Sequence, residues 1–376
     1  MKLSIDRSAL LRSLSHVQAV VERRTTIPIL SNVKLAADQA GGGLSLTATD
    51  MDLSLVAQET AEVRRGGTVT VGAHTLFDIV RKLPDGSAVS VEQDGQAGEI
   101  TVRAGRSTFN LPTLPADEFP APGGEQPGST RFSLPAEDLA KLIDKTRFAI
   151  STEETRYYLN GIHMHATKGG GATAMLRGVA TDGHRLARIE AALPKGAEQM
   201  PPIIVPRKTV AELRKLLEGE QGEVGVSVSP TRIRFTLPRA ELDSRLIDGT
   251  FPEYERVIPG GNERVAVLDS EDFTKAVDRV ATISTDKARA VKLSLNGGTV
   301  TISAVSADAG RAIEELDVEY NGEPLEIGFN ARYILDMMAE IDGPKVRLEM
   351  ASAAAPTVVR DPEDTSTLYV LMPMRV

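Results

Sequence analysis

The chain contains neither cysteine nor tryptophan in 376 residues. Without cysteine there is no disulfide framework, no thiolate zinc site, no iron–sulfur cluster and no thiol nucleophile. The absence also suits a reducing compartment. No run of about 18 apolar residues occurs, so no helix is expected to span a membrane. The opening MKLSIDRSALLRSLSHVQAVVERR is broken by Asp6, Arg7 and Arg12. It reads as a folded segment rather than a secretion leader, and a cytoplasmic protein is the default expectation. The net charge of −9 argues against a surface that grips nucleic acid all round.

Motifs for chemistry are also missing. The glycine runs Gly41–Gly43 and Gly169–Gly171 do not continue into G-K-[ST], so they read as loops between strands and not phosphate cradles. Asp182-Gly-His184 resembles part of a hydrolytic dyad, but no G-x-S-x-G accompanies it. His163-Met-His165 would put two rings on one side of a surface strand. No third ligand is evident, so neither a metal nor another cofactor is expected.

What is present is a repeat. At roughly 100–200 residues per domain, this length holds two or three domains. Short strands at Lys2–Ile5, Arg131–Leu134 and Arg264–Leu268 each lead into an amphipathic helix. The first helix has Leu10, Leu14, Val17 and Val21 on one face, the second Leu139, Leu142, Ile143 and Thr146, the third Phe273, Val277 and Val280. Spacings of three and four residues put these groups on one side of a 3.6-residue turn. Pro135 suits the first turn of the second helix, and Asp269 or Ser270 the cap of the third.

Alternating strands then reach LTATD (46–50), GVATD (178–182) and ISAVSAD (302–308). Second helices follow at 71–83, 205–217 and 328–341. Period-two strands come next at Val89–Glu92, Val224–Val228 and Val346–Met350. Each copy closes on an apolar-Pro step, Phe119-Pro120, Phe251-Pro252 and Met372-Pro373, at offsets of 132 and 121 residues. Asp50 and Asp182 fall at equivalent positions, which favours a role in a turn.

The expected fold class is α+β: three tandem domains, each an antiparallel sheet packed on its own two helices. The boundaries are set at 1–124, 129–256 and 259–376. The Pro/Gly-rich stretch APGGEQPGST (121–130) reads as one linker, and IPGGN breaks the pattern at the other. The six candidate helices carry a net +2, so the rest of the chain carries −11. Such a bias suits helices facing a polyanion. Two chains would supply twelve helices, which at roughly 10 Å spacing close a circle about 38 Å across, wide enough for a DNA duplex.

These segments match a known family. IPILSN (27–32), GRSTFNLPTLPADEFP (105–120), RYYLNG (156–161), VATDGHRLA (179–187), IVPRK (204–208), DGTFPEYERV (248–257), IGFNARYILD (327–336) and YVLMPMRV (369–376) occur in family order along the whole chain. The chain resembles the bacterial β sliding clamps, processivity subunits of DNA polymerase III. The resemblance implies three DNA-clamp domains, no enzymatic activity, and a head-to-tail homodimeric ring around duplex DNA without sequence specificity. Implied partners are the DNA polymerase III alpha subunit, the clamp loader delta subunit, and other polymerases and repair proteins carrying short apolar peptides.

Carried over motif by motif, the peptide pocket takes in Arg156, Leu159, Thr181, Gly183, His184, Arg185, Leu186, Pro252, Arg256 and Val257. The C-terminal run Val370, Leu371, Met372, Pro373, Met374, Arg375 and Val376 completes it. Ala354 and Pro356 join it on a strand where the family often carries a more polar pair. An apolar cleft with methionine thioethers suits several related peptides. The resemblance assigns Arg24, Tyr157, Tyr158, Arg207 and Lys208 to DNA, the cations for phosphates and the tyrosines for stacking. Glu153 stands where an uncharged polar residue is common, and its carboxylate is left out of that set. Phe109, Leu111 and Ile283 are the implied dimer contacts, with Thr282 polar where the family can be apolar.

Two other readings compete: a hydrolase using Asp182 and His184, and a repeat scaffold that binds peptides but no DNA.

Overall fold

The computed structural model describes residues 1–93, 98–124, 126–167, 173–284 and 289–375. The Gly169–Gly171 run and Val376 lie outside them.

Three copies of one element order follow each other along the chain. The first has β1 (Lys2–Asp6), α1 (Arg7–Val20), β2 (Asn32–Asp38), β3 (Gly43–Thr49), β4 (Leu53–Thr60) and β5 (Glu62–Arg65). It continues with β6 (Gly67–Gly72), α2 (Ala73–Lys82), β7 (Ala88–Glu92), β8 (Glu99–Ala104) and β9 (Ser107–Pro112). The second has β10 (Thr130–Pro135), α3 (Ala136–Arg147), β11 (Gly161–Ala166), β12 (Met175–Thr181) and β13 (Arg185–Ala192). β14 (Ile203–Pro206), α4 (Arg207–Leu216), β15 (Glu223–Val228), β16 (Arg232–Thr236) and β17 (Ala240–Arg245) complete it. The third has β18 (Arg264–Asp269), α5 (Ser270–Ala281), β19 (Ala290–Asn296), β20 (Thr299–Ser306), β21 (Gly310–Asp317) and β22 (Glu319–Tyr320). It ends with β23 (Leu325–Asn330), α6 (Ala331–Met338), β24 (Lys345–Met350), β25 (Thr357–Arg360) and β26 (Thr367–Leu371).

All six helices lie where the periodicity predicts them, and the reasons are local. The Asp6 carboxylate accepts hydrogen bonds from the backbone N–H groups of Ser8 (2.8 Å) and Ala9 (3.2 Å) and so caps α1. Asp269 caps α5 through the Asp272 N–H (2.9 Å), and Asn330 caps α6 through the Arg332 N–H (2.9 Å). Such caps satisfy N–H groups that the first turn leaves without partners. Leu10, Leu14 and Val17 of α1 and Phe273, Val277 and Val280 of α5 are buried. Each contributes about 1.5–3 kcal/mol by leaving water.

The sheets differ from the expectation of one per copy. Every copy divides its strands between two sheets, and two of the sheets run on from one copy into the next. The chain forms two compact units, residues 1–137 with 194–201 and 208–246, and residues 138–193 with 202–207 and 247–376. The first holds a five-stranded sheet, β5-β1-β7-β8-β9, and an eight-stranded one, β10-β15-β16-β17-β4-β3-β2-β6. The second holds a nine-stranded sheet, β14-β11-β12-β13-β26-β25-β24-β18-β22, and a four-stranded one, β21-β20-β19-β23.

In the first unit the joint between copies is the antiparallel pair β4–β17, with Leu55 opposite Leu242 and Ser54 opposite Asp243. Asp243 is buried there and accepts from Arg232 Nε (2.7 Å) and Arg234 Nε (3.2 Å). Arg234 also donates to the carbonyl of Gly123, which fastens the predicted linker to this pair. In the second unit the joint is β13–β26, with Arg185 opposite Leu371 and Leu186 opposite Val370. That joint builds the site described next.

Candidate functional site

β13 begins after a tight turn. Asp182 Oδ1 accepts from the N–H groups of His184 (2.9 Å) and Arg185 (3.0 Å). The Thr181 hydroxyl accepts from the Gly183 N–H (3.1 Å) and donates to the Arg185 carbonyl (2.7 Å). The Asp50 turn repeats this pattern: Asp50 Oδ1 takes the N–H groups of Asp52 (3.0 Å) and Leu53 (2.7 Å). The turn role expected of both aspartates is what the structure has. Gly183 sits at φ +89°, and a Cβ there would lie 2.5 Å from Arg156 Nη1. Glycine therefore serves both the backbone and the close approach of the guanidinium.

Beyond β26 the chain is tied down at two points. The Met372 N–H donates to the His184 carbonyl (2.9 Å) and the Met374 N–H to the Gly328 carbonyl (2.8 Å). The floor beside this tail is an apolar cluster: Leu159, Val179, Leu186, Ile204, Phe251, Tyr254, Val358, Leu368 and Val370. Leu159, Leu186 and Val370 are thus brought together, but as buried floor. The accessible apolar groups are Val257 (51% exposed), Met372 (41% exposed), exposed Pro252, and half-buried Pro373 and Met374. Leu371 is buried, while Arg256 and Arg375 are exposed. Ala354 and Pro356 do not lie on a strand; they lie in the loop that leads into β25. The Pro356 carbonyl there accepts from Asn262 Nδ2 (2.9 Å).

The two expected arginines differ in availability. Arg185 is only 9% exposed. It donates to Asp182 Oδ2 (3.1 Å), Asp336 Oδ2 (2.6 Å) and the Phe148 carbonyl (2.6 Å), and its guanidinium lies 4.4 Å from the centre of the Tyr333 ring. It acts as an internal strut. Arg156 is half-buried at the surface and makes a two-point bond to Glu153, Nη2–Oε1 at 2.5 Å and Nε–Oε2 at 2.8 Å. That hydrogen bonding holds the Glu153 carboxyl below its ordinary pKa. Glu153, left out as a misfit for DNA, is therefore the partner of Arg156. Tyr333, also missed, stacks on His184 with ring centres 6.3 Å apart. Its only signal in sequence was membership of IGFNARYILD.

His163 and His165 do share one side of β11, but the expected surface strand is wrong. His163 lies parallel on Phe251, centres 4.7 Å apart and planes 8° off, and its Nδ1 bonds the Ile203 carbonyl (3.0 Å). Burial, with the charge of His165 adding to it, pushes its pKa down to about 4. His165 Nε2 meets the Tyr254 hydroxyl (2.9 Å), which accepts from Arg177 Nη1 (3.1 Å). Among the described residues no three His, Asp or Glu side chains gather as a metal site. The Asp182 carboxylate is occupied by its own turn and by Arg185.

The residues expected at DNA are placed as follows. Arg24 and Arg207 are exposed. Tyr157 is 53% exposed and meets Tyr158 edge-on at 5.8 Å, while Tyr158 packs against the apolar cluster. Lys208 is held by Asp50 Oδ2 (2.5 Å) and the Val20 carbonyl (2.9 Å), so it is less free than expected. Phe109 is half-buried opposite Val102 and Leu111 buried opposite Ile100, both on edge strand β9. Ile283 is half-buried just after α5. Among the described residues no helix is long and apolar enough to cross a membrane.

Three tandem α+β copies joined strand to strand, with an apolar cluster beside exposed Val257 and Met372 and no assembled catalytic set among the described residues, define a protein of the DNA-clamp class. Family models of the DNA polymerase III beta subunit match end to end: the N-terminal domain over 1–122, the central domain over 133–253 and the C-terminal domain over 255–375. Beta sliding clamps of Caulobacter vibrioides and Escherichia coli are 52% and 36% identical, with all of each chain covered. Among solved structures, a Bartonella birtlesii sliding clamp bound to griselimycin matches with a TM-score of 0.95 at 46% identity. A Caulobacter crescentus clamp matches with 0.91 at 51%. Both cover all of each chain. The chain belongs to the bacterial beta sliding clamp family, the beta subunit of DNA polymerase III. That family is a non-catalytic processivity factor of DNA replication.

Proposed function

We propose that two copies of this chain close head to tail into a ring around duplex DNA, and that each groove tethers the replicative polymerase and other partners by apolar peptides. One observation carries the closure. The strand after the aspartate turn of each copy is β4, β13 or β21, and the last strand of each copy is β9, β17 or β26. β4 pairs with β17, and β13 pairs with β26. That leaves β21 and β9, each at an edge of its sheet among the described residues. Pairing β21 with β9 of a second copy, in both directions, repeats the same joint and removes both open edges.

The side chains at these edges are complementary. Glu315 and Asp317 of β21 are exposed beside exposed Ile313. Arg103 and Arg106 are exposed on the β8–β9 hairpin. Phe109, Leu111 and Ile283 would add apolar contact. In this reading the domains are 1–124, 129–256 and 259–376.

DNA would meet Arg24, Tyr157, Arg207 and Lys208, with Tyr158 supporting Tyr157 from beneath. Cations on phosphates hold a duplex without reading its sequence. Peptides would lie on Leu186 and Val370 between Pro252, Arg256 and Val257 on one side and Met372–Arg375 on the other. Arg156, Thr181, Gly183 and His184 would form one end. The Bartonella relative's complex with griselimycin supports a ligand site on this fold. The partners would be the polymerase III alpha subunit, the clamp loader delta subunit and repair proteins, in the cytoplasm where the chromosome is copied.

The test is topological. Loaded on a nicked circle, the protein should stay bound and should leave when the circle is linearised. Equal retention on both would overturn the ring. Ile313→Asp should give monomers by light scattering; an intact dimer would overturn the β21–β9 joint.

A further inference from the structure

The sheet face that floors the groove changes character within one row of residues. Val179 stands opposite Arg188, and Arg188 opposite Leu368. Val358 stands opposite Val370, and Arg360, two residues on, shares that face and lies opposite Arg347. Val179, Leu186, Leu368 and Val370 belong to the apolar cluster. Arg188 sits directly beyond it, two residues from Leu186 along β13, or about 7 Å at the usual strand rise.

Four guanidinium groups border the cluster, and three have carboxylates. Arg177 pairs with Glu190 and with Glu255, both at 2.5 Å. Arg347 and Arg360 share Glu349 at 2.8 and 3.4 Å. Arg188 has no ion pair among the described residues, and its Nε is shut off from solvent with no hydrogen-bond partner. Burial lowers its pKa; Glu190 opposes this, while the charges of Arg177 and Arg360 add to it. Glu190 is already engaged by Arg177. A half-buried cation between two others, with every neighbouring acid spoken for, is a costly arrangement until an anion arrives.

We propose that Arg188 forms the cationic end of the groove, a subsite for an acidic side chain of the docked peptide. That acid would stand two residues beyond the apolar residue packed on Leu186 and Val370. The subsite extends the docking reading above and rests on it. A carboxylate there would meet a partly desolvated guanidinium, where a charge-assisted bond counts for more than at an open surface.

The test uses N-acetylated, C-amidated ten-residue peptides with three central leucines, carrying Glu or Gln at one flanking position moved stepwise along the chain. Affinity is read by fluorescence anisotropy, and displacement by griselimycin reports groove occupancy. At one position the Glu peptide should bind about three- to tenfold tighter than its Gln twin, less so at high salt. Arg188→Met should erase that preference while keeping Gln-peptide affinity within about twofold. Arg188→Lys, which keeps the charge, should retain part of it. No Glu preference at any position, or one that survives Arg188→Met, overturns the subsite. Peptides that fail to bind, or that griselimycin does not displace, overturn the docking reading itself.

Discussion

His163 should make this protein sensitive to mild acid, and the magnitude follows from its surroundings. The ring is stacked on Phe251 and faces His165 at 4.9 Å and Tyr254 at 6.4 Å. Beyond them, Arg177, Glu190 and Glu255 complete the charged surroundings. Its pKa is about 4 in the folded chain against 6.5 when free. Below pH 6.5 the unfolded chain therefore binds a proton that the folded chain refuses. Stability is at its full value above pH 6.5, falls as the pH drops towards 4, and levels off below. The span corresponds to about 3 kcal/mol, of which about 2 kcal/mol is lost between pH 8 and pH 5. Phe251 and Tyr254 flank Pro252 and lead into Val257, so acid should loosen one wall of the groove as well. The assay is urea unfolding by circular dichroism at a series of pH values, wild type against His163→Phe, which keeps the stack and removes the titration. The variant should lose about 2 kcal/mol less between pH 8 and 5, and its griselimycin affinity should fall less. Equal pH slopes would refute the reasoning.

Gly183→Ala should cost about 1–2 kcal/mol from the positive φ and should push Arg156 off the turn. Met51, at φ +82° in the equivalent turn, should respond with the opposite sign: Met51→Gly should raise the melting temperature, with a gain of up to about 1 kcal/mol. Asp243→Ala takes the carboxylate from Arg232 and leaves Arg234 only Glu241 and the Gly123 carbonyl, and should cost about 3–5 kcal/mol by urea titration. Deleting Met372–Val376 removes two backbone ties and the Met372 wall. Griselimycin and peptide binding should vanish while light scattering still reports a dimer; loss of both together would argue against a separate groove.

Helices and strands were legible because their causes are local. The Leu10–Leu14–Val17 stripe, the Asp269 cap and the period-two strand at 224–228 each depend on neighbours a few residues away. The partition of each copy into two sheets was not legible, because it depends on which strands meet across a joint. Leu186 and Val370 are 184 positions apart, and no periodicity connects them. Residue resemblance named candidates for the site but could not rank their burial: Arg185 and Arg156 look alike in sequence, yet one is a buried strut and the other a surface group shared with Glu153. His163-Met-His165 misled in a similar way. Alternation correctly put both rings on one side, but whether that side is open depends on Phe251 and Tyr254, nearly ninety residues later.

The two joints within the chain carry the same lock with its charges exchanged. At β4–β17, the turn contributes the acid: Asp50 binds Lys208, the second residue of α4 in the next copy. At β13–β26 the base is on the turn side: Arg185 reaches across to Asp336 on α6 of the next copy. Each lock ties the start of one joint strand to the second helix of the following copy, so separation of either joint must break an ion pair as well as a ladder. At the proposed third joint, between copies of the chain, the counterpart of Lys208 is His74 on α2. Its Nε2 is already bonded to the Val21 carbonyl at 3.1 Å, so that nitrogen is engaged within its own copy and not in a lock of this kind. The joint between copies is therefore the one expected to open when the ring is loaded. His74→Lys, placing a cation near the turn that carries Asp308, should slow subunit exchange about two- to fivefold at low salt and less at high salt. Exchange unchanged by the substitution at every ionic strength would mean that a lock of this kind does not set the strength of the joint.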